Sequence, residues 1–305
     1  MEKTIVIGGS GFIGRAVQKY VVDKQIGEAF AFAYNRHPEN VHNSLDKVRI
    51  DLLDKNTLGG IAKFSRAIYV SGSADHGLAK SSPSLDLDLN VRAFLNFMEA
   101  FRGSLVLLSS QAVYYGFKGE ILESVDHVPT IPYGLSKKMV EAYANYFLTR
   151  VALAKLWTFR LMYAFGEGEK ERRLIPRCAR AVANDERVMI FGGGKSFLNP
   201  LPSLFVAETL VKAAKDLEKR DKNFLEITNL NYPESVTVGD VVRFLSGVQN
   251  FDYEIAESGE EWPVEFWGDT RNLSRHMKRW NLSFPDLWDD LKQYFKVLLR
   301  GKQLG

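Results

Sequence analysis

The pattern of apolar and polar positions changes period repeatedly along the chain. Short apolar runs alternate with longer segments whose apolar residues recur every three or four positions. "TIVI" at 4–7 is the first short run, and "GFIGRAVQKYVV" follows it with helical period. "EAFAFAY", "KVRIDLL", "AIYVSGS", "GSLVLLSS", "LWTFRLMYAFG" and "FLEITN" are expected as further strands. "LDLDLNVRAFLNFMEAF" predicts one continuous helix, and the run opening at Tyr133 predicts another, to residue 150. Such alternation predicts an α/β protein: a parallel sheet of about seven strands, covered by helices on both faces. Beyond residue 166 the pattern loosens. "GEGEKERR" and "FGGGKSFLNPLP" read as loops. The expected division is a large unit over residues 1–165, rejoined by 204–230, and a smaller lobe made from 166–203 and 231–305.

Composition adds exclusions. The chain has 305 residues, enough for one large core and a lobe. Its formal net charge of +3 is too small to favour nucleic acid or an anionic membrane as partner. One cysteine, Cys178, rules out an internal disulfide framework. No apolar run approaches the roughly 18 residues of a transmembrane span. "MEK" leads straight into a strand-like run, so no signal peptide is expected and a cytoplasmic location is. The histidines (37, 42, 76, 127 and 276) show no metal-ligand spacing with one another or with Cys178, so no metal is expected.

The turn "GGSGFIG" carries the first chemistry. Gly8, Gly11 and Gly14 recur every three residues, directly after a strand and opening a helix. A turn of this kind lets backbone approach a pyrophosphate and aims helix N–H groups at it. Ser10, Phe12 and Ile13 belong to the same turn. A dinucleotide is therefore expected. The place at the end of the second strand that an acid takes when it holds the ribose 2′-hydroxyl is here Asn35, followed by Arg36. A guanidinium grips a 2′-phosphate where a carboxylate would repel it, so NADP is expected in preference to NAD. Asp51 and Leu52 are candidates for the adenine edge. "IPYGLSKKMVEAY" places Tyr133 and Lys137 four apart at the start of a helix, a spacing that by itself leaves a surface pair and a catalytic pair both open.

With these pieces in order the sequence resembles the extended short-chain dehydrogenase/reductases, in particular the nucleotide-sugar epimerases, dehydratases and reductases. The resemblance rests on "GGSGFIG", "DLLD", "NVRAFLNFMEA", "LLSSQAVYYG", "YGLSK" and "FRLMYAFGEG", in this order over nearly the whole chain. It implies a Rossmann-type doubly wound sheet with a smaller C-terminal substrate-binding lobe, lined by a hairpin-like loop at 191–196. It implies Tyr133 as acid/base, Lys137 on the nicotinamide ribose, and Ser110 on the reacting oxygen. An ammonium one turn away and an oxidised nicotinamide would favour the phenolate. Ser110 is chosen over Ser109 because it stands four residues before Tyr114 of "VYYG", matching the family's Ser or Thr before its Val-Tyr; Ser109 would point the other way on a strand. Ser71, Gly72 and Asn90 are implied at the cofactor, with Asn90 holding a water or a helix bend.

The departures from the family pattern narrow the reaction. Dehydratases of the family carry an Asp-Glu pair after the serine, whereas this chain has Gln111 and Ala112, so 4,6-dehydration is not expected. No cysteine follows the serine, which speaks against 3,5-epimerase-reductases. The resemblance leaves reduction of a 4-keto sugar with NADPH as the expectation, and C4 epimerisation with retained NAD as the alternative. A homodimer is also implied, through the helices at 86–101 and 133–150. Gln111, Tyr163, Arg172 (with Arg173 beside it) and Lys195 are the candidate substrate contacts. Tyr163 stands where the family has an asparagine.

Overall fold

The computed structural model describes residues 3–150, 153–259 and 262–303. Its centre is a seven-stranded parallel sheet. The strands are β1 (Thr4–Ile7), β2 (Phe30–Tyr34), β3 (Asp46–Arg49), β4 (Arg66–Tyr69), β5 (Ser104–Ser110), β6 (Lys155–Leu161) and β7 (Phe224–Leu230). They lie in the order β3-β2-β1-β4-β5-β6-β7, so the chain winds outward from β1 first to one edge and then to the other. β1 and β4 are neighbours in space with β2 and β3 between them in sequence. A crevice therefore opens above the C-terminal ends of β1 and β4, where such sheets bind ligands.

The apolar runs are continuous because both faces are covered. Ile5, Ile7, Leu105 and Leu107 pack with Phe94, Phe97, Val140 and Phe147 on one face. Val6, Val106, Trp157 and Phe159 pack on the other, with Val17 of helix α1 (Phe12–Asp23) and Leu210 of a helix over Ser203–Asp216. A third core, built on Ile175, Val188, Val241, Leu245, Leu291 and Phe295, lies in the segments after residue 165.

Three expectations need correction. The segment 85–101 is not one regular helix: Pro83–Leu87 and Ala93–Ala100 are joined by a π-helical turn over Asp88–Arg92. A π turn inserts a residue and displaces its neighbours. Here it lets the Asn90 carboxamide donate to Asp86 (2.8 Å) and accept from the Ser73 N–H (3.1 Å). "LWTFRLMYAFG" is not one strand: β6 ends at Leu161, and Tyr163–Phe165 pairs instead with Pro200–Pro202. That pairing is parallel, as is that of Val188–Ile190 with Tyr253–Ile255, so the glycine-rich segment at 191–196 closes no hairpin.

The long helix α2 (Pro132–Arg150) is tied to the sheet by a buried polar network. Arg160 on β6 pairs with Glu141 of α2 at 2.7 Å, and both are buried. Ser109 donates to the same carboxylate at 2.6 Å. Arg160 also donates to the Tyr114 hydroxyl, which donates to Asn229 at 2.9 Å. Breaking one partner of a buried ion pair strands the other charge, at a cost of about 3–5 kcal/mol. Arg160→Met is therefore expected to lower unfolding stability by about that amount in urea titration, and Arg160→Met with Glu141→Leu to recover most of it.

Candidate active site

The glycine-rich turn is shaped by backbone contacts that leave no room for side chains. Gly8 has φ +87, and a Cβ on it would lie 2.9 Å from the backbone of Ser71. A Cβ on Gly14 would lie 2.2 Å from the Gly8 carbonyl oxygen. Gly11 donates its N–H to the same oxygen at 3.0 Å and begins α1 without a capping side chain. The first-turn N–H groups are thus left for an anion above the turn, which suits a pyrophosphate. Ser10, Phe12 and Ile13 line this turn, half-buried. Gln18 fastens it from below: its amide donates to the Gly9 and Asn40 carbonyls, both at 2.8 Å, and its oxygen accepts from the His42 N–H at 2.7 Å.

The adenosine side is more open. Asn35 ends half-buried just past β2, and Arg36 beside it is exposed, with no ion pair or hydrogen bond among the described residues. Asp51 accepts from the Leu53 N–H at 2.9 Å, and the Leu52 carbonyl accepts from Asn96 at 2.9 Å. At the other end Ser71 and Gly72 follow β4. Gly72 has φ +132, and a Cβ there would stand 2.5 Å from Asn90 Oδ1 and 3.1 Å from Lys137 Nζ. This glycine lets backbone, Asn90 and Lys137 converge. The residues fit a dinucleotide laid from Arg36 across the turn to Lys137.

Tyr133 and Lys137 face inward from α2, both buried, with the ammonium 5.7 Å from the phenol ring centre. Ser110, at the end of β5, holds the Ala112 N–H at 3.1 Å and hydrogen-bonds to Tyr133. Burial pushes the Tyr133 phenol up to about 12, against the pull of Ser110. Lys137 is brought down to about 8 by burial, with Asp86 and Glu141 opposing. The ammonium and an oxidised nicotinamide together are expected to favour a phenolate; in the protein itself burial works the other way and raises the phenol.

Two residues near this pair had no signal in the sequence. His76 lies against the Tyr133 ring with centroids 4.8 Å apart, and Tyr115 and Trp262 close round it. Burial holds its imidazole below the usual value. Asp86 is buried and accepts from Ser136 and Asn90.

The candidate substrate contacts are largely committed elsewhere. Gln111 is buried and donates to Asn231 at 2.6 Å. The Tyr163 hydroxyl bonds to the buried Glu169, and its ring is covered by the Arg173 guanidinium at 4.0 Å. Arg173 itself pairs with Glu169 at 3.1 Å. Lys195 pairs with Glu257 at 2.9 Å, far out in solvent. Arg172 pairs at 2.8 Å with Asp75, the residue before His76, and the Arg173 charge also reaches His76 and Tyr133. Among the described residues no group of His, Cys, Asp or Glu is placed to hold a metal ion.

The family model described as "NAD dependent epimerase/dehydratase family" matches residues 4–198, a span that begins at β1 and includes Ser110, Tyr133 and Lys137. The chain belongs to this family, within the extended short-chain dehydrogenase/reductases. It is 22% identical over 270 residues to the Escherichia coli dTDP-4-dehydro-6-deoxyglucose reductase, covering 78% of this chain and 79% of that protein. Its fold superimposes on a UDP-glucose 4-epimerase of Thermotoga maritima with UDP-glucose (TM-score 0.84, 18% identity, 99% and 100% of the two chains). It superimposes equally on the Brucella ovis UDP-glucose 4-epimerase in complex with NAD (TM-score 0.84, 19% identity, 99% and 98%). This family member is an enzyme of the dehydrogenase/reductase type.

If Tyr133 is the proton-transfer group, Tyr133→Phe should lower turnover by ~10²–10⁴. Dinucleotide affinity, read by fluorescence titration, should stay within about threefold, since the phenol hydroxyl is not needed to seat the cofactor.

Proposed function

We propose that this enzyme reduces the ketone of a nucleotide-activated 4-keto sugar with NADPH. The observation that carries this reading is Arg36, an exposed and unpaired guanidinium at the end of β2 where an NAD-binding chain would present a carboxylate. The relation to a curated 4-keto-6-deoxysugar reductase supports it. Gln111 and Ala112 bring no acid or base beside Ser110, which speaks against dehydration.

The residues divide the work as follows. The turn at Gly8–Gly14 seats the diphosphate, and Lys137 with Asn90 and the Gly72 backbone seats the nicotinamide ribose. When bound, the reduced dinucleotide supplies a hydride to the carbonyl carbon. Ser110 donates to the carbonyl oxygen and orients it. Tyr133, protonated at neutral pH, gives its proton to that oxygen as the C=O π pair becomes a lone pair. Arg172 pairs with Asp75, the residue before His76. Its ion pair with Asp75 is half exposed and cheap to exchange for a substrate phosphate.

A second copy of the chain is the proposed partner. Leu135, Met139, Tyr143 and Tyr146 are exposed at helical spacing along the outer face of α2. No helix among the described residues is long and apolar enough to cross a membrane.

Mass spectrometry of nucleotide released on denaturation tests the reaction class. The expected result is NADP or no nucleotide, with NADPH then binding more tightly than NADH; stoichiometric NAD would favour C4 epimerisation instead. Arg36→Glu should cut the NADPH-over-NADH preference by at least about tenfold, through loss of a bidentate contact and gain of repulsion. Tyr146→Glu should turn a dimer into a monomer by light scattering. A wild-type monomer would remove the proposed interface.

A further inference from the structure

Lys137 presents a problem that the glycine-rich turn and Tyr133 do not solve. The residue is buried, only 7% exposed. A buried lysine without a compensating charge sheds its proton. Glu141, one turn further along α2, cannot serve fully: Arg160 grips both its oxygens and Ser109 donates to it as well. Its charge is already matched by a guanidinium.

Asp86 is placed differently. It is 1% exposed, on the short helix that precedes the π turn. Among the described residues its two oxygens accept from neutral donors only, the Ser136 hydroxyl and the Asn90 amide at 2.8 Å. Ser136 immediately precedes Lys137 in α2, and Asn90 Oδ1 meets the same Gly72 position as Lys137 Nζ. Two hydrogen bonds satisfy the carboxylate but leave its charge unmatched, and that charge acts through space on Lys137, whose Nζ shares the Gly72 corner with Asn90. The π turn serves this arrangement, because it brings Asn90 between the acid and the Ser73 backbone.

We propose that Asp86 is a positioning residue for Lys137: its buried carboxylate keeps the lysine charged inside the site, and thereby keeps it a strong donor to the cofactor ribose. The inference rests on the dinucleotide reading of the site. A charged donor makes a hydrogen bond about twice as strong as a neutral one, so the charge state of Lys137 sets how firmly the ribose is held. The groups that face this pair are few. His76 approaches from the helix at His76–Ser81, and Tyr133 and Ser136 from α2; Asn90 comes from the π turn, while Glu141 and Arg173 act from further off. The His76 imidazole is held below its usual value and the Tyr133 phenol is pushed up to about 12. Between pH 7 and 9, roughly, Lys137 is then the group of this set that changes charge.

The sign follows. The wild-type lysine, at about 8, is charged below that pH and loses its proton above it. Affinity for an anionic dinucleotide is therefore full below this midpoint and falls as pH rises through it. Removing the Asp86 charge lowers the midpoint. The experiment is a titration of NADPH fluorescence against the full-length protein from pH 6 to 9.5, with NADH as the second probe. Asp86→Asn and, as a second neutral variant, Asp86→Ser are expected to move the midpoint down by about one pH unit. Asp86→Glu should restore it, and Ser136→Ala, which removes a hydrogen bond but no charge, should leave it within about 0.3 unit. Thermal melts of each variant separate folding loss from titration. A neutral variant that folds, binds NADPH and keeps the wild-type midpoint overturns the proposal. A midpoint that shifts equally in Ser136→Ala also overturns it, because packing rather than charge would then be at work. Failure of the wild-type protein to bind either dinucleotide overturns both this inference and the reading on which it rests.

Discussion

The buried pair of Arg160 and Glu141 is the constraint on which the site depends. One partner belongs to the sheet and the other to the helix that carries Tyr133, Ser136 and Lys137. A helix with an apolar stripe alone can slide or roll against a sheet at modest cost, because apolar contact is not directional. A guanidinium gripping a carboxylate through two nitrogens, with Ser109 as a third donor, fixes both height and rotation. Glu141 is one turn beyond Lys137 and two beyond Tyr133. Fixing it therefore sets both side chains against the end of β5, where Ser110 waits. Ser109 and Ser110 divide the labour by strand alternation alone, one turned to the scaffold and one to the chemistry.

That scaffold places a phenol and an ammonium in a site from which water is largely excluded, and desolvation dominates both. It disfavours each charged form, so it pushes the phenol up and the ammonium down. Ser110 works against this for Tyr133, and Asp86 with Glu141 for Lys137. The outcome is a protonated tyrosine beside a lysine that is still mostly charged at neutral pH. This state suits giving a proton to a ketone. Taking a proton from an alcohol would require a positively charged nicotinamide to bring the phenol down.

Much of the fold was legible because strands and helices alternate with different periods, and because a parallel sheet buried on both faces writes its strands as unbroken apolar runs. The glycine turn and the Tyr133–Lys137 spacing were legible for a related reason: their partners are near in sequence, and the geometry of one turn relates them. What was missed depends on distant pairs. Asp86 meets Ser136 across 50 positions, and His76 meets Tyr133 across a still longer stretch. Neither acid nor imidazole carries a local pattern that distinguishes it from a surface residue. The π turn was invisible because one inserted residue leaves the helical period nearly intact. Tyr163 drew attention for replacing an expected asparagine. Its hydroxyl turned out to serve a buried carboxylate, Glu169, six residues on.

Gln18 joins the two halves of the cofactor cleft in an instructive way. Its single carboxamide holds the carbonyl of Gly9 in the phosphate turn and both a carbonyl and an N–H of the loop that follows Arg36. The loop proposed to meet the ribose 2′ position is thus clamped through its backbone, at Asn40 and His42, and neither bond involves the side chains at 35 and 36. Discrimination between the two nicotinamide dinucleotides can then drift from one descendant to the next by point substitution, with no rearrangement of the phosphate cradle and none of the hydride-transfer end. In evolutionary terms the cofactor's identity is a replaceable fitting on a fixed mount.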